Sequence, residues 1–256
     1  MNRLNTLFSQ KKNLLSIYFT AGFPQLNDTL PILQSLQEAG VDFVEIGMPF
    51  SDPLADGPVI QASSTRALQN GMSLNLLFEQ LKEVRQSITM PLILMGYFNP
   101  VYKFGLERFL KKCQETGIDG VIIPDLPNDL YREQFRHTFE QTGISNIFLI
   151  TPQTPEERVK RLDNDTTSFL YMVSSAAVTG ARTGLNQFQI DYFERIRKMN
   201  LKSPRVVGFG ISDHQSFSQV CTYANGAIVG SAFIKLLEKS SNLEGDILSF
   251  VKAIRG

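Results

Sequence analysis

The chain is 256 residues long, 43% apolar and 20% charged, an ordinary composition for a soluble globular protein. Its 25 basic and 25 acidic side chains cancel, and no basic stripe interleaved with aromatics upsets the balance, which argues against nucleic acid and anionic membranes as partners. The apolar stretch Leu14–Phe23 is too short to span a bilayer and lacks a small-residue cleavage pattern, so the chain reads as cytoplasmic.

Residues Asn2–Lys11 place Leu4, Leu7 and Phe8 on one side of an extra N-terminal amphipathic helix, able either to plug the bottom of a barrel or to fray. Short β-branched and aliphatic runs then recur along the whole chain: Leu15–Phe19, Phe43–Ile46, Leu92–Met95, Gly120–Ile123, Ile147–Ile150, Phe169–Val173, Arg205–Val207 and Ala227–Val229. Helical periodicity follows each run. Asp28 is placed to cap a helix over Asp28–Ala39, and Ser73 one carrying Leu76, Leu77 and Leu81. Gly40 and Gly117 stand where C-terminal caps belong.

Eight strands alternating with helices imply parallel pairing, and eight such units can close into a barrel with no sheet edge. An open doubly wound sheet would carry a glycine fingerprint after its first strand, but that turn reads Thr20-Ala21-Gly22-Phe23-Pro24. No linker or low-complexity tract divides the chain. The expected fold is therefore α/β, a (βα)8 TIM barrel with an extra N-terminal helix, as a single domain over residues 1–256.

The active site of such a barrel lies where strands end. After the second strand comes Glu45-Ile46-Gly47-Met48-Pro49-Phe50-Ser51-Asp52-Pro53-Leu54-Ala55-Asp56-Gly57-Pro58. If Val44 and Ile46 face the helices, Glu45 points into the barrel mouth, where apolar neighbours raise its pKa and suit it to giving and taking protons. The competing reading is a Glu paired to a core Arg or Lys. Asp52 is either a turn former or a site residue, and Asp56 is placed to reach back over the site. Gly180 and Gly184 flank the sixth loop, Gly208-Phe209-Gly210-Ile211-Ser212 follows the seventh strand, and Gly230-Ser231-Ala232 follows the eighth. Together they read as a phosphate clamp of backbone amides and a helix N-terminus.

No strand-end Lys supports a Schiff base, and His137 and His214 stand alone, so no metal site is expected. Cys113 and Cys221 lie in amphipathic helical patterns and read as small buried hydrophobes.

The run PFSDPLADGP within Glu45–Pro58 resembles the signature of the tryptophan synthase alpha subunit family. The likeness extends through TAGFP, Tyr97 and Asn99, Pro124-Asp125-Leu126-Pro127, Val178-Thr179-Gly180, GFGIS and GSA. It implies a lyase cleaving indole-3-glycerol phosphate to indole and glyceraldehyde 3-phosphate in tryptophan biosynthesis, with no cofactor of its own. By motif position Glu45 would be the general acid–base, Asp56 would accept the indole N–H, and Tyr171 would sit beside Glu45. Gly180, Gly210, Gly230 and Ser231 would hold phosphate, and Phe19, Tyr97, Ile123, Leu149, Thr179 and Phe209 would line the indole pocket. The family also implies an alpha2beta2 complex whose beta subunit carries pyridoxal phosphate, with Pro53, Asn99, Pro100, Asp125 and Pro127 facing that partner. Phe23 and Ala177 depart from the family pattern, which often has Asp and Gly there. The rival readings are another phosphate-gripping barrel enzyme, an isomerase or indoleglycerol-phosphate synthase, and a non-catalytic barrel subunit.

Overall fold

Each of the eight apolar runs forms a strand. The structure, a computed structural model, describes residues 2–173, 185–208 and 210–256. The strands are β1 (Leu14–Thr20), β2 (Phe43–Gly47), β3 (Leu92–Met95), β4 (Gly120–Ile122), β5 (Ser145–Ile150), β6 (Leu170–Val173), β7 (Arg205–Gly208) and β8 (Gly226–Val229). They pair in parallel, in chain order, and close through β8 on β1 with Leu14 opposite Gly226. This is the expected (βα)8 barrel.

Alternation along each strand sorts the side chains into two layers. Ile17, Val44, Ile46, Leu92, Leu94 and Val121 face the helices, whereas Leu14, Phe43, Ile93, Ile122, Ile147 and Val206 fill the bore. The N-terminal helix Arg3–Gln10 plugs the lower end. Leu4 is buried in the bore layer, and the Phe8 ring lies 5.3 Å from Phe169 and 6.0 Å from Phe43. The helix is held there by Arg3, 2.9 Å from the buried Asp119 carboxylate, which also accepts the Leu92 amide. Asp42 plays the same part under β1, accepting the Leu15 amide and pairing with Lys11 and Arg255.

One cap expectation fails and the others hold. Ser73 accepts the Leu76 amide as anticipated, and Gly117 ends its helix in the left-handed conformation at φ 75°. Asp28 stands at the N-cap of Thr29–Glu38, but its backbone is already right-handed helical and its carboxylate turns back to accept the Gln25 amide at 3.0 Å. It closes the preceding turn instead of capping the helix.

The closing seam leaves no room for a side chain. A Cβ at Gly226 would lie 2.3 Å from the backbone oxygen of Leu14, which cannot swing aside. Gly226→Ala is expected to cost about 3 kcal/mol, the upper range for overpacking a core. Urea unfolding compared with the unaltered chain checks this, and a loss below about 1 kcal/mol would show that the seam can part.

Candidate active site

Glu45 sits in the middle of β2, between Tyr18 of β1 and Ile93 of β3 in the register, while Val44 and Ile46 pack against the helices. Its side chain therefore enters the bore at the mouth. It is 0% exposed, and among the described residues neither carboxylate oxygen has a hydrogen-bond partner. Among the described residues no cation pairs with it. Burial alone pushes its pKa up to about 8, since the ionised form finds neither water nor a donor. At neutral pH Glu45 is a protonated acid one proton away from being a base.

Tyr171 of β6 rises from the same layer, its hydroxyl over Gly208, where a Cβ would come within 2.0 Å of it. Burial first and the Glu45 charge second hold this phenol well above its ordinary value, so it stays protonated beside the acid. Tyr18 shares that environment: burial and the charges of Asp56 and Glu45 push it up, against a smaller opposite effect from Thr20.

Asp56 is carried by the long loop after β2, just ahead of the helix Pro58–Gln69. The Tyr97 hydroxyl donates to its carboxylate at 3.1 Å and itself accepts the Ala55 amide at 2.9 Å. Burial raises the Asp56 pKa and the Tyr97 hydrogen bond works against it, leaving a half-buried carboxylate poised at the cavity wall. Asp52 is exposed and takes the Ser51 hydroxyl, a local turn contact.

Three of these groups, Tyr18, Asp56 and Tyr171, border a cavity of about 290 Å³, and Glu45 is buried out of its lining. Tyr18, Asp56, Ile60, Met95 and Tyr171 line it together with Gly210, Ser212, Gly230, Ser231 and Lys235. Gly210 has a left-handed φ of 79° with open space where a side chain would be, and Gly230 leads directly into the nine-residue helix Ser231–Lys239. Backbone N–H groups and the positive end of that helix thus meet the cavity, an arrangement suited to an anion.

Not all of the residues expected to line the indole pocket border this cavity. Phe19 is fully buried in the helix-facing layer, and its neighbour Tyr18 faces the cavity. Ile123 lies past the end of β4, in the helix-facing core. Leu149 packs on the bore layer. Tyr97 belongs to an adjoining cleft with Phe50, ring centroids 5.4 Å apart, where it secures Asp56. Gly180, Gly184, Thr179, Ala177 and Phe209 lie outside the described residues. Sequence reasoning missed Tyr18, Met95, Ile60, Ile211 and Ile228. The register could have found Tyr18, because it stands opposite Glu45 and so shares its face.

Beyond the mouth, Asn99, Asp125 and Pro127 are exposed and Pro53 and Pro100 half-buried. The Asp125 carboxylate accepts the Phe98 amide at 2.8 Å, tying the loops after β3 and β4 together. Leu54 at 91% and Tyr102 at 66% exposure are the most exposed large apolar side chains among the described residues, Leu54 in the loop after β2 and Tyr102 on the helix Phe98–Phe104 after β3.

No group of three or more His, Cys, Asp or Glu among the described residues could hold a metal, and no helix among them is long and apolar enough to cross a membrane. Burial pushes both cysteine thiols up, Cys221 to about 11, so neither is a ready thiolate.

The sequence model of one family, described as tryptophan synthase alpha chain, matches residues 4–254. The chain belongs to the tryptophan synthase alpha chain family. It is 56% identical to the tryptophan synthase alpha chain of Flavobacterium psychrophilum, over 99% of this chain and 100% of the relative, and 56% identical to that of Flavobacterium johnsoniae, over 100% of both. Among solved structures, the tryptophan synthase alpha-subunit of Pyrococcus furiosus superposes with a TM-score of 0.87 at 35% identity, covering 95% of this chain and 98% of that one. A tryptophan synthase chain from M. tuberculosis matches at the same TM-score with 25% identity, covering 100% of this chain and 98% of its own. The match over residues 4–254 takes in the loop after β2, with Glu45 and Asp56, as well as the barrel.

Proposed function

We propose that Glu45 is the acid–base of a carbon–carbon lyase, the alpha reaction of tryptophan synthase, which cleaves indole-3-glycerol phosphate to indole and glyceraldehyde 3-phosphate. The observation that carries this reading is a fully buried carboxyl group with no hydrogen-bond partner among the described residues, held protonated at neutral pH, in register with Tyr18, which lines a cavity that the glycine loops suited to phosphate also line. Glu45 delivers its proton to the ring carbon that bears the side chain, and positive charge develops on the ring nitrogen. Asp56 accepts the N–H there and stabilises that charge. The adjacent hydroxyl gives up its proton to the Glu45 carboxylate, its oxygen electrons form the aldehyde, and the carbon–carbon bond breaks with its electron pair returning to the ring. Glu45 ends as it began, and the proton count balances. The Tyr171 phenol shares the bore layer with the carboxyl group and stays protonated beside it.

The phosphate is held by Gly210, Gly230 and Ser231, and the indole ring rests among Tyr18, Met95 and Leu149. The chain works as one domain in the cytoplasm, and it has no cofactor of its own. Its partner is a beta subunit carrying pyridoxal phosphate, in an alpha2beta2 complex, and the loops holding Pro53, Asn99, Pro100, Asp125 and Pro127 face it.

A negative charge in the phosphate end tests this arrangement. A Cβ at Gly230 would make only ordinary contacts, 3.7 Å from Tyr18 and 3.8 Å from Ile60, so Gly230→Asp folds and puts a carboxylate into the cavity. Indole release from indole-3-glycerol phosphate should then show a KM raised about a hundredfold, the scale of like charges meeting in a partly desolvated site. An unchanged KM would show that phosphate binds elsewhere.

A further inference from the structure

Resting on that reading of the phosphate end, we infer that Lys235 contributes the cationic contact to the substrate phosphate, completing a clamp that backbone amides alone would leave short of charge. A phosphate monoester carries between one and a half and two negative charges near neutral pH, whereas a helix N-terminus offers about half a positive one. Gly210, Ser212, Gly230 and Ser231 bring amides and hydroxyls but no charge.

Two charged side chains border the cavity among its described lining residues, Asp56 and Lys235. The carboxylate belongs with the ring nitrogen, which leaves the ammonium for the phosphate. Lys235 is four residues after Ser231 on the helix Ser231–Lys239, hence on the same face, one turn in. Side chains on a helix lean toward its N-terminus, which aims the Lys235 stem back at the amides of Ser231 and Ala232. The opposite side of the helix is occupied, with Phe233, Ile234 and Leu237 buried in the core. Lys235 is exposed and makes no ion pair among the described residues, not even with Glu238, which shares its neighbouring recess. It is free to swing onto an arriving anion.

The test compares Lys235→Met and Lys235→Arg with the unaltered chain, measuring indole release, inhibition by inorganic phosphate, and inhibition by indole glycerol, the same molecule without phosphate. In Lys235→Met the KM for indole-3-glycerol phosphate and the inhibition constant of phosphate should both rise about five- to tenfold at low salt, at the low end for a charge-assisted hydrogen bond because the ammonium is solvated. The kcat should stay within about twofold and inhibition by indole glycerol should not change, since the reacting end is untouched. Lys235→Arg should recover most of the loss, and the difference between Met and Lys should shrink in high salt. If phosphate inhibits the unaltered chain and Lys235→Met equally, Lys235 has no part in the clamp, while the phosphate assignment of the glycine loops stands. If phosphate fails to compete with substrate in the unaltered chain, both fall together.

Discussion

Glu45→Gln is expected to keep the barrel and the substrate affinity and to lower indole release by about a thousandfold or more, the range attached to loss of a positioned general acid–base. The amide is nearly the same size and enters the same pocket, but it can neither deliver a proton to the ring carbon nor collect one from the hydroxyl. No neighbouring group can take over both roles. Tyr171 and Tyr18 have phenols held high by burial and by the surrounding carboxylates, so neither readily releases a proton. Asp56 is engaged with Tyr97 at the cavity wall. Steady-state assay of the purified protein on indole-3-glycerol phosphate checks the loss, and competitive inhibition by indole glycerol checks that binding survives. Residual turnover within tenfold of the unaltered chain would remove Glu45 from the chemistry.

The same substitution should make the protein more stable in alkali. The folded-state pKa of Glu45, about 8, lies above its ordinary value of 4.5, because the fold disfavours the charged form. The neutral carboxyl group's contribution to stability is therefore fully present below about pH 4.5, declines as pH rises, and is lost once pH passes 8. Gln does not titrate. The stability difference should be constant below pH 4.5, move in favour of Glu45→Gln up to pH 8, and level off there, for a total on the order of 3–5 kcal/mol. Urea unfolding of both proteins at closely spaced pH values measures it. Curves that run parallel from pH 5 to pH 9 would mean that the carboxyl group titrates normally. A stability cost of this kind is what a functional acid in an apolar bore entails.

Much of this was legible because it follows from periodicity. Alternation of strand and helix gave the barrel, and Glu45 announced itself as a charge inside an apolar run whose neighbours face the helices. The pocket wall was harder to read, because it depends on parity. Phe19 and Ile123 are as apolar as true pocket residues, but Phe19 projects to the helix side of its strand and Ile123 lies past the end of β4 against the helix-facing core, while Tyr18 takes the inward place opposite Glu45. Parity could have been propagated from Glu45 across one strand, but composition carries no register. Asp28 shows a further limit: the residue type suits a cap, and the backbone torsion that decides the matter is set by the turn before it. Lys235 was invisible to motif reading for a different reason. A lysine in a surface helix looks like solvation until the helix is seen to begin at the cavity.

The decisive quantity is the protonation state of one carboxyl group. Infrared difference spectra of the unaltered chain against Glu45→Gln, recorded across pH 5 to 10, isolate the Glu45 carbonyl stretch from every other carboxyl group. A protonated band that persists through neutrality and disappears with a midpoint near 8 is the result expected. A carboxylate band already complete at pH 6 would contradict the account, since a Glu45 that is ionised at rest has no proton to give the ring.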